Sequence, residues 1–91
     1  MPNVFTPNGD GINDVLRPYN LSGVAQWQLS VWDRWGRPLF AGTWNEAWTG
    51  LTPEGQLAQE GVYFYLLRLE LLSGNGPLRY LERAGHVTLL R

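Results

Sequence analysis

The chain predicts an all-β fold, and three observations carry that reading. Residues 26–33 (QWQLSVWD) alternate strictly, with Trp27, Leu29 and Val31 on one face and Gln26, Gln28, Ser30 and Trp32 on the other. This is the period-2 pattern of a half-buried strand. Residues 61–72 (GVYFYLLRLELL) alternate in the same way: Tyr63, Tyr65, Leu67, Leu69 and Leu71 share one face, and Val62, Phe64, Leu66, Arg68, Glu70 and Leu72 the other. The segments between such runs are rich in Gly, Pro, Asn and Asp, the residues of tight turns.

Taken in order, residues 3–6 form a short first strand that stops at Pro7. Residues 5–14 (FTPNGDGIND) make a polar, backbone-driven loop set between apolar flanks. Residues 14–19 (DVLRPY) read as a second short strand, which Pro18 confines to an edge or an end because it lacks an N–H. A turn at 20–25 leads into the 26–33 strand. The turn Arg34–Arg37 then reverses the chain into 38–41, completing a hairpin. Residues 42–59 are a long connection, expected to be pinned to the core by Trp44 and Trp48, since a bare loop of that length is unusual.

A helix competes for 61–72, because Leu and Glu favour helices. The aromatic start, the Gly-rich turn SGNGP at 73–77 and the returning run 78–83 decide for a hairpin. Residues 85–91 (GHVTLLR) are the last strand, with Val87 and Leu89 inward and His86 on the opposite face. About seven short antiparallel strands in so short a chain predict an immunoglobulin-like β-sandwich.

Bulk properties bound the function. The chain has 91 residues, enough for a single core. Net charge is −1, with seven Arg, no Lys and eight acidic residues, so a nucleic-acid partner is not expected. With no cysteine, disulfides and thiolate metal sites are excluded. Neither a signal-peptide pattern nor a run of ~20 apolar residues is present, so no membrane span is expected. Met1 leads almost directly into the first motif, as in a domain excised from a longer protein.

Each candidate site also has a plain structural role. In the 5–14 loop, Asn8, Asp10, the Ile12 carbonyl and Asp14 are spaced like Ca²⁺ ligands, and the loop is equally a turn whose side chains cap local amides. Thr6 and Arg17 stand where the outer acidic ligands belong, so a calcium ion here is a weak structural staple, with Kd of roughly 10⁻⁴–10⁻³ M. No catalytic constellation stands out. His86 is the single histidine, and Ser22, Ser30 and Ser73 lack a nucleophile context.

Five tryptophans invite a carbohydrate-binding reading. Trp27 and Trp48 fit the core, and Trp35 fits packing over the hairpin turn near Arg34 or Arg37. Trp32 and Trp44 are left as the sugar platform of an alternative carbohydrate-binding module; a structural spacer is the second alternative. Trp32, Phe64, Leu66 and Leu90 all fall on faces opposite the inferred core and define an expected docking patch.

Five blocks occur in order along the chain: FTPNGDGINDVLRP (5–18), LSVWDRWGRPLF (29–40), AWTG (47–50), EGVYFYLL (60–67) and ERAGHVTLLR (82–91). Together they resemble the gliding-motility-associated C-terminal domain of Bacteroidetes, a sorting signal of the type IX secretion system, type B. The resemblance covers nearly the whole chain. It implies a single C-terminal sorting domain over 1–91, an immunoglobulin-like sandwich and no catalysis. It implies export through the periplasm to the outer membrane, cell surface or medium. The implied partners are the translocon or its shuttle components and N-terminal cargo domains of the same chain. Family members often carry Lys where Ala84 stands, which shifts the expected cationic contacts to Arg83 and Arg91. They commonly carry Asp at the place of Thr49.

Overall fold

A computed structural model describes residues 4–7, 14–19, 21–72 and 79–91. Five strands form one mixed sheet: β1 (Val4–Phe5), β2 (Val24–Trp32), β3 (Pro38–Ala41), β4 (Gly61–Leu71) and β5 (Arg79–Leu89), in the order β1-β5-β4-β2-β3. β1 runs parallel to β5, and the other neighbours are antiparallel. There is no helix among the described residues. The fold is therefore all-β, but the described residues give five strands in one sheet rather than about seven in two.

Two of the differences have clear causes. The runs 78–83 and 85–91 are expected as separate strands around Gly85, but Arg79–Leu89 is one continuous strand paired with β4 along its whole length. Gly85 breaks nothing. It lies opposite Tyr65, and a Cβ there would stand 2.6 Å from the Tyr65 hydroxyl oxygen and 2.8 Å from the ring. Glycine in a strand can mark such close approach as well as a break. Residues 14–19 contribute one bridge, Leu16 to Trp48, with N–H···O bonds of 2.8 and 3.0 Å. Pro18, two residues on, has no N–H with which to extend a ladder.

The core lies on one face of the sheet. Trp27, Leu29 and Val31 from β2, Tyr63 and Leu67 from β4, Val87 and Leu89 from β5, and Phe5 from β1 are buried there. On β3 the register slips beside Val31 and Trp32, so Leu39 is an extra residue between the pairs Val31–Phe40 and Trp32–Pro38. That bulge lets neighbouring Leu39 and Phe40 both pack on the core.

The cover over this face comes from Leu16, Trp48 and Ala58 in the irregular segments. Trp48 is 1% exposed; its ring lies 5.3 Å from Phe5 and 5.2 Å from Tyr63, and its Nε1 donates to the Leu51 carbonyl at 2.9 Å. Trp44 does not share this task, being 40% exposed. Its neighbour Asn45 does the pinning. Asn45 N donates to the Trp27 carbonyl at 2.7 Å, and its Oδ1 accepts from Trp27 N at 3.1 Å. Asn45 thus satisfies β2 beyond the end of β3, in a left-handed conformation (φ 61°) that asparagine tolerates well.

Candidate functional site

Among the described residues, the opposite face of the sheet has no such cover. Register places Trp32 beside Phe64, and Phe64 beside His86, in one row across β2, β4 and β5. The next row is Ser30, Leu66 and Ala84. Val62 lies across from Thr88, and Thr88 from Val4. Phe64 is 46% exposed, Val62 43% and Val4 40%, while Trp32 and Leu66 are partly buried. This end of the face is mostly apolar, with Ser30, His86 and Thr88 among its residues.

The far end of the same face is polar. Arg68 sits opposite Glu82, and its guanidinium lies 4.4 Å from the Tyr80 ring centroid. Gln26 donates to Glu70 at 2.6 Å, which satisfies the one buried acidic group among the described residues. The face is thus divided into a polar half and a largely apolar half.

The expected docking residues are thus partly united. Trp32, Phe64 and Leu66 are neighbours on one face. Leu90 follows one step beyond β5, is 45% exposed, and donates its N–H to the Phe5 carbonyl at 3.0 Å. Val4 and Val62 extend the apolar area and were not singled out from the sequence. Val62 lay on the correct face of its strand, but only the register of β1 on β5 brings Val4 to it.

The two arginines lie elsewhere. Arg83 is exposed and sits opposite Leu67, on the core side of the sheet, with Nη1 donating to the Glu82 carbonyl at 3.2 Å. Arg91 turns inward. Its Nη2 donates to the Ala58 carbonyl at 2.7 Å and the Gly50 carbonyl at 3.2 Å, and its Nε to the Ala58 carbonyl at 3.2 Å. Arg91 N donates to Glu60 Oε1 at 2.7 Å. The side chain clips the C-terminal strand to the cover segment.

Gly50 shapes the receiving end of that clip. Its φ is +83°, and a Cβ there would lie 3.1 Å from Pro7 Cγ and 3.5 Å from Leu89 Cδ1. Its position after Trp48 and Thr49 is set by backbone conformation and by this close packing. Of the expected calcium ligands, Asn8, Asp10 and Ile12 lie outside the described residues; Asp14 is half-buried just before the Leu16 bridge. No helix among the described residues is long and apolar enough to cross a membrane.

Among the described residues, one ionisable group is clearly perturbed. Burial first, then the Asp33 carboxylate, push the Tyr63 hydroxyl above its ordinary range, and Arg91, Arg34 and Arg37 pull less strongly the other way. The hydroxyl donates to the Gln59 carbonyl at 2.6 Å. Because the folded state holds this proton more tightly, its stabilising contribution is complete below the unfolded pKa of ~10 and is lost as pH rises through the folded value. The urea midpoint is expected to fall between pH 8 and pH 11, and Tyr63→Phe to fall less over that interval. An equal drop in both proteins would assign the effect to other groups.

The fold and this geometry define a class of protein: a small β module with one packed face, one apolar outer face and a clipped C-terminal strand. The family model of the CHU_C type IX secretion signal domain matches residues 1–86, and the chain belongs to that family. It is a type IX secretion C-terminal signal domain, a role that implies export out of the cell and recognition by secretion machinery. That role implies no catalysis for this domain, and no enzyme family is found. Comparison with curated proteins gives no match.

Proposed function

We propose that the secretion machinery reads this domain as a folded object, through the apolar half of the uncovered sheet face. The observation that carries this reading is the side-by-side placement of Trp32 and Phe64, with Leu66 next along β4, on the face opposite the core. Apolar side chains held on a rigid sheet need no ordering on contact, so their burial goes largely into affinity. The reader is the translocon or a shuttle component acting on it. The cargo is N-terminal to the domain, and the destination is the cell surface or the medium, by way of the periplasm. Arg83 supplies a cationic contact on the other side of the sheet. Arg91 contributes by fixing the strand end.

The test is a fusion of the domain to the C-terminus of a periplasmic reporter in a type IX-competent host. Phe64→Asp and Trp32→Asp are each expected to reduce export about tenfold, the loss expected when a charge enters an apolar contact. The variants should keep the far-UV circular dichroism of the parent, because neither side chain belongs to the buried core. Full export of folded variants would move recognition off this face.

The cover segment 42–60 is read as the second layer of an immunoglobulin-like sandwich, reduced to the Leu16–Trp48 and Leu51–Leu57 bridges. Asn8, Asp10, Ile12 and Asp14 are read as a calcium staple for the first segments. Asp14 supports this by its place two residues before the buried Leu16. Calcium at 100-fold excess over Kd would stabilise the domain by about 2.7 kcal/mol, a rise of roughly 10 °C or more in Tm. A Tm that is the same in calcium and in chelator leaves the loop as a turn only.

A further inference from the structure

The strongest unassigned feature is a cleft of about 290 Å³ between the 33–37 turn and the 52–59 part of the cover segment. Its volume is near the lower end of the ~300–1,000 Å³ range of small-molecule sites. Trp35 stands at this cleft and is 76% exposed, the most exposed large apolar side chain among the described residues. Its backbone N–H is held by Asp33 Oδ1 at 3.0 Å, and the Arg34 guanidinium lies 4.4 Å from its ring centroid. The guanidinium therefore covers one part of the indole, and the exposure of the side chain leaves the rest of the ring accessible.

We propose that this cleft binds a short stretch of neutral polysaccharide, with Trp35 as the stacking platform. The axial C–H groups of a pyranose pack on an electron-rich indole face, and its equatorial hydroxyls reach planar amides at the rim. Gln56 and Gln59 line the cleft, and their side-chain amides make no hydrogen bond to the described residues. Buried Leu39 and Ala58 supply an apolar floor.

Two observations select a neutral sugar over other ligands. Charge in the cleft is already paired: Asp33 Oδ2 lies 3.4 Å from Arg37 Nε, and Asp33 Oδ1 accepts from Arg37 N at 2.8 Å. A peptide would pair with main-chain groups, and several of those at the rim around Thr52 are committed. Thr52 N donates to the Gln56 carbonyl, Gln56 N to Thr52 Oγ1 and Gly55 N to the Thr52 carbonyl. A sugar needs only the side chains. This activity is separate from secretion, since the cleft does not include the Trp32–Phe64 face.

The intact domain is titrated with cellohexaose, maltohexaose, xylohexaose and chitohexaose by calorimetry and tryptophan fluorescence. At least one is expected to bind. Trp35→Ala should weaken that binding about tenfold or more, and Gln56→Ala and Gln59→Ala should each weaken it severalfold. Trp32→Ala and Trp44→Ala should leave it unchanged, and Trp35→Ala should leave export unchanged. Absence of binding to all four sugars at millimolar concentration overturns the proposal. So does binding that survives Trp35→Ala, or binding that depends on Trp32 or Trp44 instead.

Discussion

Trp48→Ala is expected to cost about 3–5 kcal/mol of stability, the usual range for removing a fully buried aromatic side chain. A 91-residue domain has about 5–14 kcal/mol in total. The substitution empties a site between Phe5 and Tyr63 and leaves the Leu51 carbonyl without its 2.9 Å donor. It also loosens the cover from the sheet, because the Trp48 ring is what meets Phe5 of β1 and Tyr63 of β4, while the backbone bonds of the Leu16 bridge remain. Urea unfolding followed by circular dichroism checks this, with Trp35→Ala as a control expected to change stability by less than ~0.5 kcal/mol. A Trp48→Ala loss below ~1 kcal/mol would mean that the cover contributes little to the folded state.

Removal of residues 87–91 is expected to abolish cooperative unfolding altogether. The deletion takes away Val87 and Leu89, both 0% exposed, and with them both partners of β1, since Val4 pairs with Thr88 and Phe5 with Leu89. It also removes every hydrogen bond made by Arg91. Arg91→Ala alone should be milder, about 1–2 kcal/mol, because a charged donor to carbonyls is lost but the strand remains. A truncated chain that still melts cooperatively would show that β4 and β2 hold the core unaided. The comparison bears on the secretion signal itself. Export lost on truncation but kept in Arg91→Ala would mean that the terminal residues act by completing the fold. The family match ends at residue 86, whereas Val87 and Leu89, just beyond it, are buried in the core.

Much of the outer face was legible from alternation alone. Trp32, Phe64 and Leu66 sit where the period-2 pattern of their strands puts them, and so does His86. Trp27 and Trp48 are buried as their positions suggested. Trp35 does pack against Arg34, but its place at a cleft was not legible, because the far wall comes from residues 52–59. Arg91 was read as an outward contact. Its inward turn depends on the carbonyls of Ala58 and Gly50, the second of which also accepts from Ala58 N, and a sequence does not display them as acceptors.

The sequence by itself determined the strand type, the inward and outward faces and the turns, because these follow from side-chain alternation and local backbone preference. Its ordered motifs also suffice to place the chain among secretion signal domains. Tertiary structure decided the rest. It set β1 parallel to β5, made Gly85 a seat for the Tyr65 ring, let Asn45 stand in for a missing strand and clipped Arg91 to the cover. Each of these joins groups far apart in the chain through one particular register or hydrogen bond. Local periodicity carries no information about which distant partner will supply it.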